Sequence, residues 1–342
     1  MMSNRVICFG EIMGRLNPEG YQRFVQATRF EMSYAGGEAN VAVSLANFGM
    51  DAAYVTALPK NDLGSAAKME LQRYGVDTSL IHKNDGRLGL YFVEKGASQR
   101  ASRVIYDREN SAIALAKVGD FDWERIFQGA KWFHFTGITP ALGKQSAQLC
   151  EDACRTAHQM GVKVSCDLNY RKALWSREQA QETMSKLMEY VDICIANEED
   201  ASDVFQVRPK HSDVRNGKLC REDYTEMAEE LTRRFGFSQV AFTLRTSISA
   251  SVNHWAGMLY HDGQAYFSKE YIMAIVDRVG GGDSFNAALI YSLLQGMPAQ
   301  QAVEFAVAAS CLKHSIEHDF NLVSVEEVQR LVGGDGSGRV QR

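Results

Sequence analysis

Short runs of consecutive apolar residues alternate along this chain with longer stretches in which apolar residues recur every three or four positions. Runs at 5–10, 52–57, 131–136, 162–167, 192–195 and 239–244 have the length and the β-branched or aromatic content of buried strands, as in Val6-Ile7-Cys8-Phe9. Between them the helical period predicts helices over Glu38 to Phe48, Gly64 to Tyr74, Lys144 to Met160, Arg177 to Tyr190 and Glu222 to Phe235. Strands that alternate with helices, and that are apolar on both faces, belong to a parallel sheet covered on both sides. The fold class expected is therefore α/β: a doubly wound, mainly parallel sheet flanked by helices, built as a single domain over residues 1–332.

Two stretches break the alternation, at about 13–35 and 87–108. There polar and aromatic residues alternate without helical period, as in Leu90-Tyr91-Phe92-Val93-Glu94 and Arg103-Val104-Ile105-Tyr106, which predicts antiparallel strands of a small lid. A flap of this kind lies over the carboxyl ends of the sheet, where open α/β sheets bind ligands, and closes over a substrate. The rival reading is a purely structural meander; the joint presence of Arg and Tyr in both segments favours the lid. The charged, irregular stretch 206–221 reads as a surface loop without chemistry. The glycine-rich 333–342 reads as a flexible tail.

Composition narrows the function classes. Of 342 residues, 45% are hydrophobic and 23% charged, which excludes a disordered or fibrous chain. The net charge of -5, with both signs mixed along the chain, argues against nucleic acid and for a small-molecule partner. The seven cysteines are odd in number and sit mostly in apolar runs, so they read as reduced core residues. No stretch reaches membrane-spanning length, and the first residues lead straight into a strand without an apolar leader. The expectation is a soluble, cytoplasmic protein that binds no membrane.

The strongest chemical signal is Asp277-Arg278-Val279-Gly280-Gly281-Gly282-Asp283-Ser284-Phe285, followed by the apolar run Leu289-Ile290-Tyr291-Ser292-Leu293-Leu294. Three glycines opening a helix let backbone N–H groups approach an anion, and the helix dipole adds to them. Phe285 at the third glycine position separates this turn from the dinucleotide fingerprint, and the absence of Gly-Lys-Ser/Thr separates it from the P-loop. An aspartate in the first turn after such a cradle stands where it can take a hydroxyl proton beside a transferring phosphoryl group. The plainer alternative is a first-turn carboxylate favoured only by the dipole. At the end of an apolar strand, Asp167-Leu168-Asn169-Tyr170-Arg171 presents Asp, Asn and Arg on the functional edge of a parallel sheet, with Arg171 suited to clamp a carboxylate.

Asp277 to Phe285 resembles the second signature of the ribokinase, or PfkB, family: an Asp followed after two residues by Gly-x-Gly-Asp. That resemblance implies a ribokinase-like fold and an ATP-dependent sugar kinase. It implies Asp283 as the catalytic base, also touching the sugar, and Gly280, Gly281 and Gly282 as the anion hole, with Gly280 and Gly282 on ATP. Val279 and Gly281 depart from the commonest family residues. Tyr34-Ala35-Gly36-Gly37-Glu38-Ala39-Asn40 resembles the first signature, which implies that Gly36, Gly37 and Asn40 face the sugar hydroxyls; on its residues alone it is a turn feeding a helix. Asp167-x-Asn169-x-Arg171 resembles the middle motif and implies ATP contacts at Asn169 and Arg171. Ala196-Asn197-Glu198-Glu199-Asp200 resembles the family's magnesium element with Asp200 in place of its Glu. It implies Mg2+ held through water by Asp200 and Glu199, with Asn197 on ATP. The run from Thr243 to Ala250 implies nucleotide contacts at Thr243, Arg245 and Ser247, Arg245 replacing a glycine of many relatives.

Gly10 to Leu16, the lid residues Tyr91, Arg103, Tyr106 and Arg108, and the run Lys313 to Asn321 resemble the 2-dehydro-3-deoxygluconokinase branch of that family. An acid sugar is then the expected substrate, phosphorylated at its terminal hydroxyl, with Tyr91 and Tyr106 in the pocket, Arg108 and Arg171 meeting its carboxylate, and Asp319 on a hydroxyl. The rivals are a fructokinase- or ribokinase-like enzyme, a nicotinamide-dependent oxidoreductase and a catalytically silent sugar binder. Lid strands with an exposed apolar face predict a homo-oligomer.

Overall fold

A computed structural model of the chain describes residues 4–211, 220–336 and 338. The chain opens with β1 (Arg5–Phe9), in which Val6 to Phe9 are fully buried, and then crosses into a peripheral sheet through β2 (Met13–Asn17) and β3 (Glu31–Ala35). The buried helix α1 (Gly37–Asn47) starts immediately after β3 and returns the chain to β4 (Ala52–Val55), which lies parallel to β1 with Val6 opposite Ala52. Next come β5 (Ala57–Pro59), α2 (Asp62–Arg73) and β6 (His82–Asn84). Asn61 caps α2 by accepting from the Gly64 N–H at 3.2 Å. The strands β7 (Gly89–Glu94) and β8 (Arg103–Asp107) complete the peripheral sheet in the order β3-β2-β7-β8.

From here strands and helices alternate: α3 (Trp123–Phe127), β9 (Ala130–Thr136), α4 (Lys144–Gln159), β10 (Lys163–Asp167), α5 (Arg177–Met188), β11 (Ile193–Ala196), α6 (Glu198–Phe205), α7 (Arg221–Phe235) and β12 (Gln239–Ser247). Strands β4, β1, β9, β10, β11 and β12 lie side by side and parallel. Their near-continuous apolar runs are what burial on both faces requires. One core packs α3 to α7 against one face of this sheet; a second packs α1, α2 and the last three helices against the other.

An antiparallel edge on this sheet was not legible in the hydrophobic pattern. It comprises β13 (Val252–His261), β14 (Gln264–Phe267) and β15 (Tyr271–Ala274). Two of the buried positions of β13 are Asn253 and Gly257, so an alternation of burial exists without an alternation of hydrophobicity. Gly257 is required by packing: a Cβ there would stand 2.8 Å from Val307 and 3.0 Å from Phe285. Those two residues lie on α9 (Ala299–Lys313) and α8 (Gly281–Leu294), which pack on each other; α10 (Val325–Val332) closes the described chain.

The chain winds outward from β1 in both directions, to β4 on one side and to β9 on the other. A crevice opens beyond the carboxyl ends of the strands at such a reversal. Among the described residues no helix is long and apolar enough to cross a membrane. Of the stretches read as loop and tail, residues 212–219, 337 and 339–342 lie outside the described residues.

Candidate active site

A cleft of about 1470 Å³ runs along the carboxyl ends of the sheet, between the turn into α8 and the peripheral sheet. All of Asn169, Arg171, Asn197, Glu199, Asp200, Thr243, Arg245 and Ser247 line it, and so do the lid residues Tyr91, Tyr106 and Arg108. Gly36, Gly37, Asn40, Gly280 to Gly282, Asp283 and Asp319 complete the set of candidates found on its walls.

The glycine turn has a separate reason at each position. Gly280 caps α8 with a φ of +83°, and a Cβ there would stand 2.1 Å from the Asp319 carbonyl oxygen. A Cβ on Gly281 would stand 2.4 Å from the His314 ring, whereas one on Gly282 would meet nothing within 4 Å. Gly282 thus leaves bare backbone on the cleft wall at the N-terminus of a 14-residue helix, where N–H groups and the dipole favour an anion.

Asp283 follows in the first turn. Its Oδ2 accepts from Asn40 Nδ2 at 2.6 Å, and it forms no ion pair among the described residues. Burial pushes its pKa up to about 7; the Asn40 hydrogen bond works the other way, while the charges of Asp167, Asp319 and Glu38 add to the rise. Asn40, expected on sugar hydroxyls, donates to Asp283, and its Oδ1 accepts from the Gly36 N–H at 3.3 Å. Gly36 is needed because a Cβ would stand 1.9 Å from the Glu11 carbonyl, and a Cβ on Gly37 would stand 3.6 Å from Asp283 Oδ1.

Along the sheet edge lie two further carboxylates. Asp200 accepts from the Tyr170 N–H at 3.0 Å and from Asn197 Nδ2 at 2.8 Å, and Asn197 caps α6. Asp167 accepts from Asn286 Nδ2 at 2.8 Å and from the Asn169 N–H at 3.2 Å. Burial, and next the charge of Asp167, push Asp200 up to about 7; burial likewise raises Asp167. Among the described residues no group of three or more His, Cys, Asp or Glu is arranged to hold an ion. Asp167 and Asp200, with exposed Glu199 at the rim, offer the oxygen donors that would suit a magnesium ion keeping most of its ligands as phosphate oxygens and waters. Of the cations that line the same cleft, Arg171, Arg245 and Arg278 form no ion pair among the described residues. Burial, then the neighbouring Arg245 charge, lower the pKa of Arg278. Acids and arginines that share one cleft without pairing to one another among the described residues suit a polyphosphate carried with a divalent cation.

At the lid end the partnerships differ from those expected. Arg108 is not free to face a substrate carboxylate alone: Glu11 Oε2 accepts from its Nε at 2.8 Å and from Nη2, and Tyr106 lies 5.4 Å from the guanidinium. Asp319, expected on a sugar hydroxyl, accepts from Tyr91 Oη at 2.8 Å and from Arg15 Nη1, so both its oxygens already have protein donors. Fully buried Arg15 also pairs with Asp277 at 2.5 Å. Sequence reasoning assigned no role to Glu38 or Arg278, and placed Glu11 and Arg15 only within the Gly10–Leu16 run that carries the branch resemblance. Glu38 accepts from the Thr136 N–H at 3.0 Å and from the hydroxyls of Thr136 and Thr139, each at 2.8 Å. Its place between the glycine pair and Asn40 was the available signal. The 206–221 loop, expected to carry no chemistry, puts Arg208 and Pro209 on the cleft wall.

Comparison with known proteins follows the same lines. The signature described as pfkB family carbohydrate kinase matches residues 3–315. The crystal structure of 2-dehydro-3-deoxygluconokinase from Thermotoga maritima is 52% identical, with a TM-score of 0.94, covering 96% of this chain and 99% of that one. A 2-dehydro-3-deoxygalactonokinase of Haloferax volcanii is 31% identical over 337 residues, 98% of this chain and 99% of its own. Fructokinase from Xylella fastidiosa, solved with bound ATP, shares the fold at a TM-score of 0.75 and 20% identity, covering 97% of this chain and 98% of its own.

Proposed function

Because the chain belongs to the pfkB family of carbohydrate kinases, we propose that it transfers the γ-phosphoryl group of ATP to the terminal hydroxyl of 2-dehydro-3-deoxygluconate. Asp283 accepts the proton of that hydroxyl as its oxygen attacks the γ-phosphorus, and ADP leaves. The N–H groups of the Gly280–Gly282 turn face the charge that develops on the transferring group. Bound magnesium would neutralise phosphate charge, its waters resting on Asp167 and Asp200. Arg171, Arg245 and Arg278 hold the nucleotide's phosphates, and Thr243 and Ser247 border them.

One observation carries the assignment: Asp283, oriented by Asn40 at 2.6 Å and with a pKa raised to about 7, sits without an ion pair among the described residues at the mouth of a bare glycine turn. A base with a pKa near the working pH combines a useful ionised fraction with a real affinity for the proton. The acid sugar is supported by the activities after which the Thermotoga maritima and Haloferax volcanii relatives are named. A second reading, a kinase for a neutral ketose, draws on the Glu11 partner that neutralises Arg108.

The test is a substrate panel with ATP and Mg2+, setting the acid sugar against fructose and ribose, run on wild type and on Asp283→Asn. The acid sugar is expected to be preferred, and the variant to lose roughly 10²- to 10⁴-fold in kcat while still binding ATP. Turnover by the variant within a few-fold of wild type would remove Asp283 from the base role; preference for a neutral ketose would favour the second reading. The cytoplasm is the compartment proposed, in keeping with cysteines that lie mostly buried in the core. A homo-oligomer formed through the edge strand β8 of the lid is proposed as well, since Val104 and Ile105 are 42% and 49% exposed there.

A further inference from the structure

The glycine turn is held from behind by one face of α9. Ser310, Lys313 and His314, spaced three and four residues apart, are all buried and all point at it. Ser310 Oγ donates to the Gly281 carbonyl at 2.6 Å, and the His314 ring fills the space where a Gly281 side chain would be. Lys313 Nζ, with no exposed surface, donates to the carbonyl of Asp277 at 3.2 Å and to that of His318 at 2.6 Å. Across a trans peptide, C=O and the next N–H point in opposite directions. Carbonyls drawn back toward α9 therefore turn the N–H groups of the following residues, Arg278 and Gly282 among them, toward the opposite side, which is the cleft.

A buried ammonium is costly, and this one has company. Burial lowers the pKa of Lys313, while the charges of Asp277 and Asp319 oppose that shift. Those same carboxylates pair with Arg15, so two cations and two anions lie beneath the turn. Lys313 does not line the cleft, so it touches neither phosphate nor sugar. Its one evident task is on the turn itself.

We propose that Lys313 is a built-in cation of the anion hole: a positioning residue whose ammonium, fixed by the Asp277 and His318 carbonyls, holds the Asp277–Gly282 turn in its phosphate-binding shape. The inference rests on the kinase reading above. Removing the side chain leaves a pocket walled by carbonyl oxygens beside two carboxylates, a cavity that a small soluble ammonium ion would fill.

The experiment uses the full-length protein with Lys313→Ala and Lys313→Met. Both variants are expected to keep a cooperative thermal transition, to lose roughly 100-fold in kcat, as displacement of a positioned group does, and to keep the sugar KM within roughly threefold. In Lys313→Ala, methylammonium chloride is expected to restore much of the lost kcat, and tetramethylammonium chloride at the same concentration to restore none. A folded Lys313→Met with near-wild-type kcat, or a folded Lys313→Ala that ignores methylammonium, overturns the proposal. If the alanine variant does not fold, the methionine variant of similar volume decides through its split between kcat and KM. Wild type that phosphorylates no sugar fails the kinase reading and this inference together; active wild type with unaffected variants fails this inference alone.

Discussion

A carboxylate in the first turn of a helix is ordinarily held low in pKa by the helix dipole, whereas Asp283 is pushed up to about 7 by burial and by the neighbouring acids. Two consequences follow from the sign. As a base it works only when ionised, so kcat/KM is expected to climb about tenfold per pH unit below pH 7 and to level off above it. Asn40 donates to the ionised form and so favours it; Asn40→Ala should move the limb to higher pH, and a pH–rate profile that leaves it in place would refute this link. For stability the sign reverses. Folded Asp283 binds its proton more tightly than the unfolded chain does, so its contribution is present at low pH and is lost as pH rises from about 4 through about 7. The local motif made Asp283 legible from sequence. Its partner was not: Asn40 stands 243 residues away, as Arg15 stands 304 residues from Asp319, and no linear pattern encodes such a meeting.

The glycine turn and the helix behind it act as one element, and its three glycines should respond differently to a methyl group. Gly280→Ala places a Cβ 2.1 Å from the Asp319 carbonyl at a φ of +83°. It is expected to cost upward of about 2 kcal/mol in urea unfolding, more than the left-handed conformation alone. Gly282→Ala meets nothing within 4 Å and improves helix propensity by up to about 1 kcal/mol, so it should fold at least as well as wild type. Its methyl would stand on the cleft wall, and kcat/KM for ATP is expected to fall; unchanged kinetics would show that no phosphate comes there. The sequence alone offered three equivalent glycines, because the difference between them lies in Asp319 and His314, contributed by a segment more than thirty residues later.

At the scale of the whole molecule, two sheets share one cleft, and the smaller sheet ends in β8. On that edge strand every residue is exposed, apolar Val104 and Ile105 included, an edge of the kind that subunit pairing covers. Sedimentation of wild type is expected to show an assembly larger than one chain, and Ile105→Asp to shift it toward monomer; a monomeric wild type would end the oligomer proposal.

The alternation of strands and helices, the strands of the smaller sheet and the glycine turn before α8 could be read from the chain because each is a local pattern: a period, a run, or glycines before a helix; that β2 and β7 pair parallel, where antiparallel strands were expected, could not. The antiparallel edge at β13 escaped for the converse reason, since its burial follows neighbours on α8 and α9 and not its own hydrophobicity. Which charges meet was likewise settled by folding. Arg108 beside Glu11, Asp319 between Arg15 and Tyr91, and Lys313 beneath the turn are matters of distance in space, and distance in space decides both the pairing of a charge and the protonation of an acid.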